Sequence, residues 1–214
     1  MDQFAFFESA VPLLESMTDG ELAVVVAEYA RFLASRMGNE APPTDTPPPL
    51  AVELAWRCHL LRPLAYRRAC AGRVVPHHPL PLDAYEYEKP LDSDADAPSD
   101  SNSSSDSADL GVDLGVDLVA ALRRQQAFMR HALEVLRPEF SSDEQAAAAV
   151  HEYVEFLSAM RETPVIVPTL ATDLVWHVHM LFPVRYATEC LMLAGHEVDH
   201  DDEMETDGLP VERA

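Results

Sequence analysis

Asp173, His177, His179, His200 and Asp201 are the residues whose types and spacing suit divalent-metal chemistry. Imidazole nitrogens and carboxylate oxygens together bind zinc or iron. Asp173 and His177 are four apart, so on a helix a carboxylate can orient an imidazole or share an ion with it. His177 and His179 are two apart and point to different sides of a regular helix. One site holding both therefore requires a distorted helix end near Pro183. His200, Asp201 and Asp202 follow the glycine stop at Gly195, where the chain can fold back over the preceding helix. The competing reading is a surface cluster joined by charge-assisted hydrogen bonds, or a histidine satisfied in the core. Nucleophilic triads, phosphate-cradling glycine loops and dinucleotide fingerprints are missing, so no catalytic residue is assigned and no cofactor-binding residue is proposed.

The stretch that carries these groups occurs twice. At a shift of 120 positions, Pro49 to Cys70 matches the later segment ending at Cys190 without a gap. Trp56, His59, Pro63, Tyr66 and Cys70 pair with Trp176, His179, Pro183, Tyr186 and Cys190, and Glu53 stands opposite Asp173. E-Y-A-R-F-L (Glu28 to Leu33) recurs as E-Y-V-E-F-L (Glu152 to Leu157) at a shift of 124. Self-similarity of this kind outranks single-residue signals. Spacings of three and four put the shared residues on one packing face, bent at the proline, which reads as a structural stripe. A zinc site of His59, Cys70, His179 and Cys190 across a pseudo-two-fold axis is the alternative, although the eleven-residue gap within each pair is no familiar zinc spacing. Only the second copy has a histidine at 177, where the first has Arg57, and only it carries G-H-E-V-D-H-D-D after its fourth helix.

The elements that must position these groups are helices. Apolar residues at helical spacing mark segments near 2–17, 21–37, 50–61 and 63–72, then 118–136, 146–160, 170–181 and 183–194. Thr18 with Glu21, the Ser141–Glu144 run and Asp117 supply caps, and Pro63 and Pro183 open helices. The chain divides into a first helical repeat (1–75), an acidic Ser/Asp/Pro-rich linker (76–116), a second repeat (117–202) and an acidic tail (203–214). The fold expected is all-α: a duplicated unit of about four helices per copy joined by a disordered acidic linker. Ser93 and Ser103, each with an aspartate three residues on, suit acidophilic kinases. Arg57, Arg62, Arg67, Arg68 and Arg73 form a basic patch against which that linker can lie.

The formal charge of −22 argues against nucleic acid and anionic membranes as partners. Three cysteines fit a reducing compartment better than a disulfide framework. No signal peptide and no membrane-spanning run is present, so a soluble cytoplasmic or nuclear protein is expected.

The run Asp173-Leu174-Val175-Trp176-His177-Val178-His179-Met180-Leu181-Phe182-Pro183 with Tyr186, then Asp199-His200-Asp201-Asp202, resembles the signature of the glycine-rich domain-containing protein family of plants and fungi. The resemblance is specific over some thirty residues of the second copy and weaker over the first. It implies an intracellular protein with no assigned reaction; plant members are linked to development and stress responses. With seven glycines and no glycine-rich tail, the sequence departs from the family in that respect. Two readings follow. One is an interaction or scaffold module that binds another protein. The other is a divalent-metal-binding protein or metal-dependent enzyme using zinc or iron at the second copy's His/Asp cluster.

Overall fold

Local sequence decides where each helix begins. The computed structural model describes residues 3–38, 47–85, 112–163 and 166–200. Thr18 caps α2 (Asp19–Met37) in a capping box with Glu21, whose carboxylate accepts from the Thr18 amide at 2.6 Å. Ser142 and Gln145 form the same box at the start of α6 (Asp143–Ala159). Such boxes satisfy two otherwise orphaned amides each. Asp117 caps α5 (Leu118–Glu139) through the Ala120 amide, and Thr169 caps α7 (Leu170–Met180). Pro63 and Pro183 sit at the first position of α4 (Pro63–Ala69) and α8 (Pro183–Leu193), where the missing N–H costs nothing. With α1 (Gln3–Ser16), α3 (Leu50–Leu60) and a short 3-10 turn at Leu82–Ala84, every regular element among the described residues is helical.

The helices build two apolar cores. The first gathers buried residues of α1, α2 and α3, with Tyr66, Cys70 and Tyr85, around the inner face of α5. The second is built by α6, α7 and α8 around Trp176, Met180, Tyr186 and Cys190. The cores are interlocked: Leu61 joins the second, whereas Leu174 and Leu181 join the first. The expected boundary at residue 117 therefore does not separate them. It assigns α5 to the second repeat, yet Leu118, Leu122, Phe128, Met129 and Leu136 are buried in the first core. Apolar side chains of that size contribute about 1.5–3 kcal/mol each on burial, so α5 is a principal stabiliser of the first half.

Residues 76–85, expected as the start of the linker, pack instead on α3. His77 and Tyr85 are buried, each hydrogen-bonded to Glu53. At the other end of the expected linker, Val112, Leu114 and Val116 pack against the first core. Its middle, 86–111, lies outside the described residues, as do Ser93, Ser103, Asp201 and the tail 203–214.

The stripe residues make the same bonds in both halves. Trp56 Nε1 donates to the Tyr66 hydroxyl at 3.2 Å, and that hydroxyl donates to the Val75 carbonyl at 2.9 Å. Trp176 Nε1 donates to Tyr186 at 2.9 Å, and Tyr186 donates to the Val198 carbonyl at 2.8 Å. Tyr29 bonds His59 Nδ1 at 2.9 Å, and Tyr153 bonds His179 Nδ1 at 2.8 Å. Cys58, Cys70 and Cys190 are free and buried. No helix among the described residues is long and apolar enough to cross a membrane.

Candidate metal centre

Helix α7 supplies two of the three groups that converge. Asp173 lies in its first turn and His177 one turn later, the four-residue spacing placing both on one face. The third group, His200, comes from the segment after α8. Its position is set by the bracket just described: Tyr186 holds the Val198 carbonyl two residues earlier, and the Trp176 ring packs edge-on against the His200 imidazole, centroids 4.8 Å apart. Phe128 of α5 covers His177 from the other side at 4.3 Å. The stripe thus positions the third group as well as filling the core.

The three atoms form a small triangle. His200 Nε2 lies 3.2 Å from Asp173 Oδ1 and 3.2 Å from His177 Nε2, and His177 Nε2 lies 3.5 Å from Asp173 Oδ1. Zinc–ligand bonds of about 2.05 Å at tetrahedral angles separate ligand atoms by about 3.3 Å, so these edges match one face of a tetrahedron around zinc. Asp173, His177 and His200 are 3%, 6% and 2% exposed, which excludes bulk water from the triangle. Burial, reinforced by the charge His200 would carry, holds His177 well below the usual histidine range. It is therefore neutral, the form that ligates metal.

The structure divides the sequence-derived set. Asp173, His177 and His200 meet, and among the described residues they are the one cluster of three or more such groups with metal-binding spacing. His179 faces the other side of α7, where Nδ1 meets Tyr153 and Nε2 lies 3.1 Å from Glu189 Oε2. The helix end before Pro183 is not distorted to bring it in. His59, Cys70, His179 and Cys190 form no shared site: His59 meets Tyr29, and the two cysteines lie in separate cores.

The first half has the same pocket with different contents. Glu53 Oε1 accepts from Arg57 Nε at 2.6 Å, His77 Nε2 at 2.9 Å and the Tyr85 hydroxyl at 3.1 Å. Glu53 and Arg57 correspond to Asp173 and His177, and His77 takes the place of His200. The Arg57 guanidinium lies over the Phe6 ring at 3.6 Å, as His177 lies against Phe128. Burial alone would raise the Glu53 carboxyl, but the bonds from His77 and Arg57 outweigh it and hold Glu53 below its ordinary value. Arg57 is therefore a buried counter-ion and takes no part in a basic surface patch.

His77 was missed from sequence and His200 was read as unique to the second copy. The pair is related by a shift of 123 rather than 120, because α8 runs further than α4 before the chain turns. The recoverable signal was Val75-Pro76-His77 against Val198-Asp199-His200.

A model of the glycine-rich domain-containing protein-like family matches residues 74–189, more than half of the chain. The chain belongs to that family. Within this glycine-rich domain-containing protein-like chain, the match takes in His77, Asp173 and His177 and stops before His200. The chain is similar to glycine-rich domain-containing protein 1 of Arabidopsis thaliana, at 32% identity over 178 residues, covering 72% of this chain and 21% of that protein. It is also similar to glycine-rich domain-containing protein 2 of the same plant, at 28% identity over 190 residues, covering 72% of this chain and 22% of that protein. This family member thus spans about a fifth of the length of both relatives. No solved structure gives a significant match.

Proposed function

We propose that the chain is a doubled helical module that binds one divalent metal ion, zinc or iron, on Asp173, His177 and His200. The observation that carries the reading is the triangle of ligand atoms with edges of 3.2, 3.2 and 3.5 Å. It is supported by the first half, where an equivalent carboxylate, Glu53, is shared by a histidine and a cation, the Arg57 guanidinium. In the second half His177 stands where that arginine does, so the Asp173 carboxylate meets two imidazoles, His200 at 3.2 Å and His177 at 3.5 Å. The matched Trp–Tyr–Val brackets support descent of both halves from one unit. Burial under Phe128 and Trp176 favours a metal that holds structure over one that turns over substrate. The module then acts inside the cell by binding another protein. Two histidines and one carboxylate are also a ligand set of zinc and non-haem iron enzymes, and a fourth position open to solvent would favour that second reading.

The test is elemental analysis of the purified chain and zinc titration against a competing chelator. One equivalent of metal is expected, lost in Asp173→Asn, His177→Ala and His200→Ala but kept in His179→Ala. A chain that binds no metal stoichiometrically, or variants that keep it, would sink the proposal.

A further inference from the structure

Residues 197–200 do more than deliver a ligand. Glu197 Oε2 pairs with Arg67 Nη1 of α4 at 2.8 Å, and Asp199 Oδ1 accepts from the Leu64 amide of α4 at 3.2 Å. Between them, the Val198 carbonyl is held by Tyr186 of α8, and His200 enters the metal triangle. Alternate residues thus face opposite ways: 197 and 199 grip the first half, 198 and 200 the second. The segment is a strap across the junction of the halves.

We infer that metal binding at Asp173, His177 and His200 fastens this strap, so that metal occupancy governs how firmly α4 is held. The inference rests on the metal reading above. A bound ion fixes His200 through a coordination bond, and the ordering cost of the three preceding residues is then already met. Their contacts with Arg67 and Leu64 form at less cost when the ion is present. Without it, His200 lacks the coordination bond, and the strap opens more readily by local unfolding. Helix α4 reports the difference well. It has seven residues, too few to hold as a helix without tertiary contacts. The corresponding strap of the first half needs no ion, because His77 is tied to Glu53 and, through Nδ1, to the Leu181 carbonyl at 2.6 Å.

Hydrogen–deuterium exchange of the full chain, after chelation and again with one equivalent of zinc, tests this. Zinc is expected to slow exchange at residues 62–70 by about tenfold, the scale of one hydrogen bond to a charged group, while residues 74–80 are unchanged. The variant Glu197→Gln/Asp199→Asn keeps all three metal ligands. It should bind one zinc and lose the zinc dependence at 62–70. Stoichiometric zinc without any change at 62–70 in the native chain overturns the coupling and leaves the metal site standing. Slowing spread evenly over the chain, residues 74–80 included, also overturns it, since that is general stabilisation. Absence of zinc binding, read independently by elemental analysis, removes the site and the coupling together.

Discussion

If the two pockets are equivalents, replacing Arg57 by histidine should turn the first into a second metal site. In the native chain Glu53 is 1% exposed and its Oε1 takes three donors, Arg57 at 2.6 Å, His77 at 2.9 Å and Tyr85 at 3.1 Å. Arg57→His removes the permanent positive charge and leaves the carboxylate buried. Breaking a buried pair in this way costs about 3–5 kcal/mol. A metal ion returns the charge. At free zinc a hundredfold above its dissociation constant, binding restores about 2.7 kcal/mol, nearly all of the lower estimate and just over half of the upper. The assay is thermal unfolding with and without zinc, together with metal stoichiometry. R57H should unfold well below the native chain when metal-free, recover most of the difference in zinc, and rise from one bound ion to two. Glu53 is one methylene longer than Asp173, so Glu53→Asp/Arg57→His reproduces the second pocket's reach and should bind the added ion more tightly. A folded double variant that still takes up one ion, in a zinc range that saturates the native site, would refute the equivalence.

Three further outcomes follow from the same geometry. Burial holds His59 at about 4, against an ordinary value of 6.5, with the Leu114 backbone opposing only in part. The unfolded chain therefore binds the proton first, so stability is full above about pH 6.5 and falls by ~1.4 kcal/mol per unit toward pH 4. His59→Gln, compared with the native chain by denaturant unfolding across that window, should remove about 3 kcal/mol of the dependence; an unchanged slope would contradict the assignment. Tyr186→Phe leaves the Trp176 indole and the Val198 carbonyl without a shared partner, costing about 2 kcal/mol of stability. Because Val198 aims His200, the same change should weaken zinc binding about tenfold, whereas Tyr66→Phe should cost stability alone.

Helices were legible because their signals are local. The capping residues Thr18, Ser142 and Asp117, the prolines at 63 and 183, and apolar spacing marked their starts and inner faces. Asp173 and His177 were legible for the same reason, being one turn apart on one helix. His200 was legible as a candidate by residue type, and its partnership with His177 depends on a fold-back that no local pattern encodes. His179 belongs to the sequence-derived set, and its separation comes from the structure, which keeps α7 regular and turns His179 toward Tyr153 and Glu189. Two things were not legible. The pairing of His77 with Glu53 was hidden by a register change after the fourth helix. The commitment of α5 to the first core was hidden because an amphipathic face announces that it must be covered without saying by which neighbour.

That last placement has a consequence for the chain's integrity. The first core is completed by a helix that lies beyond Tyr85, on the far side of a long acidic stretch. A protease cut within 86–111 would leave an amino-terminal fragment lacking its own lid and a carboxyl-terminal fragment with the bare apolar face of α5. The two would behave as complementary pieces of a split protein, reuniting by bimolecular association. In the intact chain the two pieces are joined covalently, so their meeting is intramolecular rather than bimolecular.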